Sequence, residues 1–182
     1  MTLSQDRPGL AMAALGTAAV IAGGLVAAVT GPLALSRGSW AAAYLVLVCG
    51  VGQVAMAAAR LLARTDLAAG ARIGADHGGS PGSLGSTIAE EPAVSDRAAR
   101  LGWQQLATWN LANALVIAGT LASSPWVVDV GGLGCVTALV MAARHARALR
   151  AGLGTGAYRA VLALMAVSIP VGLLLSHLRN AR

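Results

Sequence analysis

Hydrophobic residues fall into five long stretches of the chain that are separated by shorter polar segments. The stretches cover roughly residues 9–30, 40–60, 103–123, 126–146 and 157–177. A helix needs about 20 mostly apolar residues to cross the hydrocarbon core of a bilayer. Each stretch reaches that length, so the pattern predicts an all-α, polytopic integral membrane protein, a bundle of five transmembrane helices.

The longest polar segment lies between the second and third stretches. It reads "TDLAAGARIGADHGGSPGSLGSTIAEEPAVSDRAAR", is rich in Gly, Ser and Pro, and holds five of the seven acidic residues. Such a composition cannot bury a core, so it predicts a flexible loop over 63–100. Ser95 is the predicted N-cap of the third helix. The predicted organisation is therefore helices one and two in 1–62, this loop, and helices three to five in 101–182.

Aromatic residues and arginines predict how the spans lie in the membrane. Four of the five spans begin with an aromatic residue, as expected for rings at the headgroup level: Trp40, Trp103, Trp126 and Tyr158. The predicted spans leave ten arginines on one side of the membrane and three, Arg37, Arg179 and Arg182, on the other. This asymmetry favours a multi-pass protein of the plasma membrane with a cytoplasmic N-terminus and a cytoplasmic long loop.

Composition agrees with the membrane assignment and excludes other classes. Hydrophobic residues make up 57% of the 182 residues and charged residues only 11%, and the mean hydropathy is +0.70. The net charge of +6 comes from arginines beside the hydrophobic stretches, which suit anionic lipid headgroups rather than a nucleic acid. Abundant Ala and Gly, with no Lys or Phe, indicate a GC-rich genome such as that of an actinobacterium.

Small residues in the first stretch predict a close helix–helix contact. Gly16, Val20, Gly24 and Ala28 recur every four residues, with a second row of Ala19, Gly23 and Ala27 beside them. Such ridges let two helices approach closely in lipid. We expect a packing seam within the chain; the alternative is a homodimer through Gly16, Gly24 and Ala28.

The third stretch carries an unusual number of polar side chains. On a helical wheel, Gln105, Trp109, Asn113 and Thr120 lie on one face, whereas Gln104, Thr108 and Asn110 lie elsewhere. A polar stripe of this kind should face protein or water rather than lipid, and Gln53 of the second stretch is a predicted partner. It is interpreted first as hydrogen bonding between helices, with a ligand, quinone or ion pocket and a contact with another subunit as alternatives.

One acidic residue, Asp129, lies inside a predicted span. A carboxylate in the membrane should pair with a cation or a donor. Candidates at the same depth are Arg37, Tyr44, His177 and Arg179, with Arg37 favoured because it precedes the second span on the same side and its charge is permanent. We expect a structural ion pair; a proton-handling or substrate-binding carboxylate is the alternative.

Candidate chemistry beyond these two groups is sparse. The three histidines, His77, His145 and His177, fall in different parts of the predicted topology, which argues against a metal or haem ligand set. Cys49 and Cys135 lie in apolar stretches and are expected to pack as small hydrophobic residues. We therefore expect no metal and no cofactor, and a non-enzymatic protein rather than an enzyme.

Two segments resemble known membrane proteins. They are "SWAAAYLVLVCGVGQVAMAAARLL" and "RAARLGWQQLATWNLANALVIAGTL", together about 50 residues. They look like the membrane-embedded part of actinobacterial copper-oxidase and nitrite-reductase fusions, and are loosely similar to NnrS-like proteins. Where those groups bind metal they use histidine, whereas Tyr44 and Gln53 stand at such positions here. The resemblance implies a respiratory or nitrosative-stress setting.

Two hypotheses for function follow. The first is a non-enzymatic accessory or assembly subunit of a larger membrane complex, with the lipid bilayer and other membrane subunits as partners. The second is a small transporter or a quinone- or haem-binding protein that uses the polar stripe and Asp129. The absence of a visible inverted repeat weakens the transporter version.

Overall fold

The computed structural model describes residues 7–61, 84–147, 156 and 158–168. Over these residues the chain is helical, with short turns and no strand. The helices are α1 (Arg7–Thr30), α2 (Gly38–Leu61), α3 (Leu84–Leu121), α4 (Pro125–Arg147) and α5 (Tyr158–Ser168). The predicted all-α class is confirmed for this part of the chain.

Three of the described helices are long and apolar enough to cross a membrane, judged by length and composition. They are Arg7–Thr30, Gly38–Leu61 and Pro125–Arg144, which match the first, second and fourth predicted spans and indicate a membrane-embedded protein. The third predicted span lies in α3, whose amide side chains make it less apolar. The fifth is represented by the short apolar helix α5, and the remainder of 157–177 lies outside the described residues.

Helix α3 begins earlier than the sequence analysis predicted. It starts at Leu84, so Ser95 lies inside the helix rather than at its N-cap, and residues 84–100 are helical instead of forming a loop. The alanines and glutamates of "IAEEPAVSDRAAR" have high helix propensity, which the Gly- and Ser-rich composition of the whole segment concealed. Residues 62–83, the rest of the predicted loop, lie outside the described residues.

Helix α2 is not a regular α-helix along its whole length. Leu45–Val51 form a π-helix between two α-helical parts, and Cys49 and Gly50 in it are buried. A π-helical segment turns less per residue than an α-helix, so it changes which side chains share a face further along. Such segments are frequent at functional sites.

Helices α1 and α2 form a hairpin through close glycine contacts. A Cβ atom placed on Gly16 would lie 2.9 Å from the carbonyl oxygen of Gly50, and one on Gly23 would lie 2.9 Å from that of Ala42. Real side chains do not fit at such distances, so both positions need glycine. The predicted packing seam is therefore present within the chain, and it uses Gly16 and Gly23.

Two other small residues of the predicted ridges lie on the outer surface of α1. Gly24 and Ala28 are exposed, and a Cβ atom on Gly24 would meet nothing within 4 Å. Because Gly16 is already buried against α2, it cannot serve the predicted homodimer face in this conformation.

Helices α3 and α4 form a second hairpin by the same device. A Cβ atom on Gly131 would lie 2.7 Å from the backbone nitrogen of Val116, and one on Gly119 would lie 2.7 Å from that of Val128. Helices α1 to α4 therefore form two antiparallel hairpins, and the two helices of each hairpin are in backbone contact.

Both hairpin turns lie at the same end of the molecule and have the same geometry. After α3, the Ser124 N–H donates to the Gly119 carbonyl at 2.8 Å and the Ser123 N–H to that of Thr120 at 3.3 Å. Ser123 has φ 53°, the left-handed conformation of a Schellman motif. The turn after α1 repeats the pattern, with Ala34 at φ 49°. We call this end of the molecule the turn end.

Candidate functional site

Polar side chains join the two hairpins along the interface of α2 and α3. From the turn end to the opposite end, the pairs are Arg37 with Thr120, Leu121 and Ser123; Tyr44 with Asn113; Gln53 with Asn110; Met56 with Gln105; and Arg60 with Ala98. Numbers rise along one helix as they fall along the other, so the helices are antiparallel. We call this set of pairs the polar ladder.

The Tyr44–Asn113 pair lies near the turn end. The Tyr44 hydroxyl donates to Asn113 Oδ1 at 2.8 Å, and Asn113 Nδ2 donates to the Trp109 carbonyl at 2.7 Å. The Tyr44 ring also stacks on Trp40, with 5.2 Å between ring centroids. Asn113 is buried, so this bond satisfies an amide oxygen that lipid could not.

The Gln53–Asn110 pair has a defined direction. Asn110 Nδ2 donates to the Leu106 carbonyl at 2.9 Å, which leaves Asn110 Oδ1 to accept. Gln53 must therefore present its Nε2, and it does so at 2.8 Å. As a consequence, Gln53 Oε1 points away from Asn110, and it has no hydrogen-bond partner among the described residues.

The last two pairs lie toward the end opposite the turns. Gln105 Nε2 donates to Met56 Sδ at 3.1 Å. Arg60 is buried, donates to the Ala98 carbonyl at 3.3 Å, and lies so close to Gly102 that a Cβ atom there would be 2.5 Å from a guanidinium nitrogen. Glycine at 102 thus makes room for the Arg60 side chain beneath α3.

Arg37 joins the two hairpin turns at the turn end. Its guanidinium donates to the Thr120 carbonyl, to the Leu121 carbonyl at 3.4 Å and to Ser123 Oγ at 2.9 Å. The last carbonyls of a helix lack partners within it and carry partial negative charge, so a cation stabilises them. Arg37 is thereby a C-terminal cap for α3 that comes from the other hairpin.

The predicted polar stripe largely faces the protein interior. Gln105, Trp109 and Asn113 are buried as predicted, and Gln53 is 1% exposed. Thr120 is half-buried and its hydroxyl donates to Val116 in its own helix at 2.8 Å. The predicted partnership needs a correction, because Gln53 binds Asn110, which the wheel placed off the stripe, and Asn113 binds Tyr44 instead.

The predicted charge cluster is not assembled by the hydrogen bonds of Arg37 and Tyr44. Those of Arg37 go to the end of α3, and that of Tyr44 goes to Asn113. Asp129 is half-buried in the second turn of α4, and His177 lies outside the described residues. The described hydrogen bonds of Arg37 all go to the end of α3 and its turn, and the Arg37–Asp129 ion pair stays a prediction.

Trp109, which lies beside the polar ladder on α3, also has a buried polar atom without a partner in the described part of the chain. Its side chain is 0% exposed, and Nε1 has no hydrogen-bond partner among the described residues. The indole contacts the α2 backbone, since a Cβ atom on Gly52 would lie 2.9 Å from Trp109 Cζ2 and 2.8 Å from Met165 Cε of α5. The sequence analysis missed this contact, although Gly52 beside Gln53 was a signal of close approach.

The side chains of the polar ladder are hydrogen-bonding groups. Within the part of the chain that the structure describes, no three His, Cys, Asp or Glu side chains are grouped as a metal site would require. The described thiols of Cys49 and Cys135 are buried and unbridged.

No protein-family model, curated protein or solved structure matches this chain.

Proposed function

We propose that this protein is a five-span integral protein of the plasma membrane, with a cytoplasmic N-terminus, that serves as a non-enzymatic accessory or assembly subunit of a larger membrane complex. The resemblance noted in its second and third stretches directs the search for that complex to the respiratory chain. The proposal is carried by the length of α3.

Helix α3 is longer than a membrane span. Its 38 residues correspond to about 57 Å, whereas the hydrocarbon core is about 30 Å thick. Trp103 is partly exposed on α3, at the level where an aromatic residue would mark the interface. Residues 84–102 would then project into the cytoplasm as a helix, which gives a membrane protein a rigid element for contacting another subunit.

The polar ladder supports a structural rather than a catalytic use of the polar residues. Most of its side chains are engaged in bonds between α2 and α3, and these bonds add to the apolar core that packs the two hairpins together. Hydrogen bonds of this kind contribute about 0.6–2 kcal/mol each in membranes. A stable two-hairpin core would hold the projecting part of α3 in a fixed orientation.

Purification from native membranes tests the proposal. The full chain, tagged at its N-terminus and extracted in a mild detergent, should bring down another membrane protein in constant stoichiometry. The double variant Glu90→Gly, Glu91→Gly, which weakens the projecting helix, should lose that protein while keeping the melting temperature of the spans. Leu133→Ala, an exposed position on α4, should retain it.

Two results would contradict the proposal. One is recovery of the chain alone under every mild extraction. The other is equal recovery of a partner with the intact and the weakened helix.

A further inference from the structure

Near the middle of the polar ladder, one buried donor and one buried acceptor lie at the same level of α2 and α3 without a hydrogen-bond partner among the described residues. The donor is Trp109 Nε1 and the acceptor is Gln53 Oε1. Residues 52 and 53 of α2 face residues 109 and 110 of α3, as the Gly52–Trp109 contact and the Gln53–Asn110 bond show. The two atoms therefore belong to one crossing point of the helices.

Leaving both atoms unsatisfied is costly. A buried donor or acceptor without a partner costs about 1–3 kcal/mol in folding free energy, and native proteins usually satisfy such groups. Gln53 cannot escape the cost by turning its amide, because the Leu106 carbonyl and Asn110 fix which end faces α3. Trp109 cannot do so by a small rotation, because its ring is wedged against Gly52.

We propose that this crossing point binds the hydroxyl group of an uncharged, membrane-soluble molecule. A hydroxyl has one donor and two acceptor lone pairs, so it can donate to Gln53 Oε1 and accept from Trp109 Nε1–H at once. No charged side chain takes part in the pairs at this level, which selects a neutral group. The molecule would be an isoprenoid quinol or an aliphatic lipid alcohol.

Met165 of α5 covers the proposed site. Its Sδ would lie 3.2 Å and its Cε 2.8 Å from a Cβ atom on Gly52. Methionine is unbranched and flexible, so its thioether can turn away and admit a hydroxyl between α2 and α5. The neighbouring residues Leu164 and Val167 are exposed, so the entry faces the surface that lipid would cover. The site is independent of the partner subunit proposed above.

Binding to the purified full chain in phosphatidylcholine nanodiscs tests the site. Three probes distinguish the ligand chemistries: a decyl-substituted benzoquinol kept reduced under anaerobic conditions, the corresponding quinone, and 1-dodecanol. Bound probe is measured by mass spectrometry after the discs are separated, and empty discs correct for partitioning. We expect the quinol, the dodecanol or both to bind saturably, and the quinone, which has no donor for Gln53, to bind about tenfold more weakly.

Variants assign the binding to the two atoms. Trp109→Phe keeps an aromatic ring without the N–H, and Gln53→Leu keeps a side chain of similar size without the amide. Each removes one neutral hydrogen bond and should weaken binding about fivefold to tenfold. The matched controls Trp103→Phe and Gln104→Leu change exposed residues of the same helix and should bind as the wild type does.

Met165→Ala tests the site even if Trp109→Phe and Gln53→Leu fold poorly. It uncovers Gly52 and Trp109, so probe binding should tighten rather than weaken. The proposal is overturned if neither the quinol nor the dodecanol binds more tightly than the quinone, or if Trp109→Phe and Gln53→Leu bind the probe as the wild type does. It is also overturned if a high-resolution map shows one water molecule bridging the two atoms that no probe displaces.

Discussion

The hydroxyl of Tyr44 donates a 2.8 Å hydrogen bond to Oδ1 of Asn113 and so ties the first hairpin to the second. Asn113 Nδ2 donates to the Trp109 carbonyl, and Asn113 Oδ1 depends on Tyr44 for a donor. The two hairpins are each closed by glycine contacts, and the contact between them combines such polar pairs with an apolar cluster that includes Met56 and Trp109. The polar ladder should therefore control association of the hairpins more than folding of either one.

Tyr44→Phe should lower the free energy of unfolding by about 1–2 kcal/mol, because it leaves the buried Asn113 oxygen unpaired. Asn113→Leu should cost a similar amount. The double variant should cost less than the sum of the two single variants, with a coupling of about 0.6–1.7 kcal/mol. Denaturation in mixed detergent micelles measures all four proteins, and strictly additive costs would show that the bond contributes nothing.

The α2–α3 register shows where sequence reasoning reaches its limit. On a regular α-helix, Tyr44 and Gln53 are nine residues apart and lie about 180° from each other. The sequence analysis grouped Tyr44 with Asp129 by depth and Gln53 with the polar stripe, and a regular helix gives no reason to join them. The π-helix at Leu45–Val51 turns less per residue and brings both side chains to α3. Nothing in that apolar run signals a π-helix, so Tyr44 could not be predicted as the partner of Asn113.

Other features of the fold could be predicted from the sequence, because they depend on the polarity of the residues along the chain. The three clearest spans follow from about 20 apolar residues in a row, and burial of Gln105 and Asn113 follows from the cost of exposing amides to lipid. The role of Arg37 could not be predicted in this way. It depends on a Schellman turn more than 80 residues further along the chain, as its bonds to Thr120 and Ser123 show.

The Arg37–Ser123 bond predicts a coupled effect on stability. The left-handed backbone of Ser123 costs conformational energy that glycine would avoid. The Ser123 hydroxyl, however, accepts a hydrogen bond from Arg37. Arg37→Leu should destabilise the protein by about 1 kcal/mol, because the end of α3 loses its cation. Ser123→Gly should then stabilise the Arg37→Leu protein by about 0.5–1 kcal/mol more than it stabilises the wild type.

Thermal unfolding of the four proteins in one detergent measures this coupling. Arg144→Leu, which removes an exposed arginine outside the turn end, is the control for loss of charge. An equal effect of Ser123→Gly in both backgrounds would show that the hydroxyl does not bind Arg37 in solution.

Two glycines should respond to alanine in opposite directions. Gly131→Ala places a Cβ atom 2.7 Å from the Val116 backbone nitrogen and 2.8 Å from the Ala112 carbonyl oxygen. Neither atom can move without separating α3 from α4, so we expect a loss of about 1–3 kcal/mol. Gly24→Ala meets open space and should gain up to about 1 kcal/mol from helix propensity. Equal melting temperatures for the two variants would contradict the close packing of the second hairpin.

Membrane orientation can be tested at the two ends of α3. A cytoplasmic N-terminus puts the turn end outside, because α1 crosses once before its turn, and it puts Leu84 and the preceding segment inside. A fluorescent protein that matures only in the cytoplasm should therefore be active when fused after Gly82. Alkaline phosphatase, which is active only outside the cytoplasm, should be active when fused after Ser123. The reversed pair of fusions, each inactive, provides the control. If the activities were exchanged, Arg37 and the Schellman turns would lie in the cytoplasm, and the projecting part of α3 would face a partner outside it.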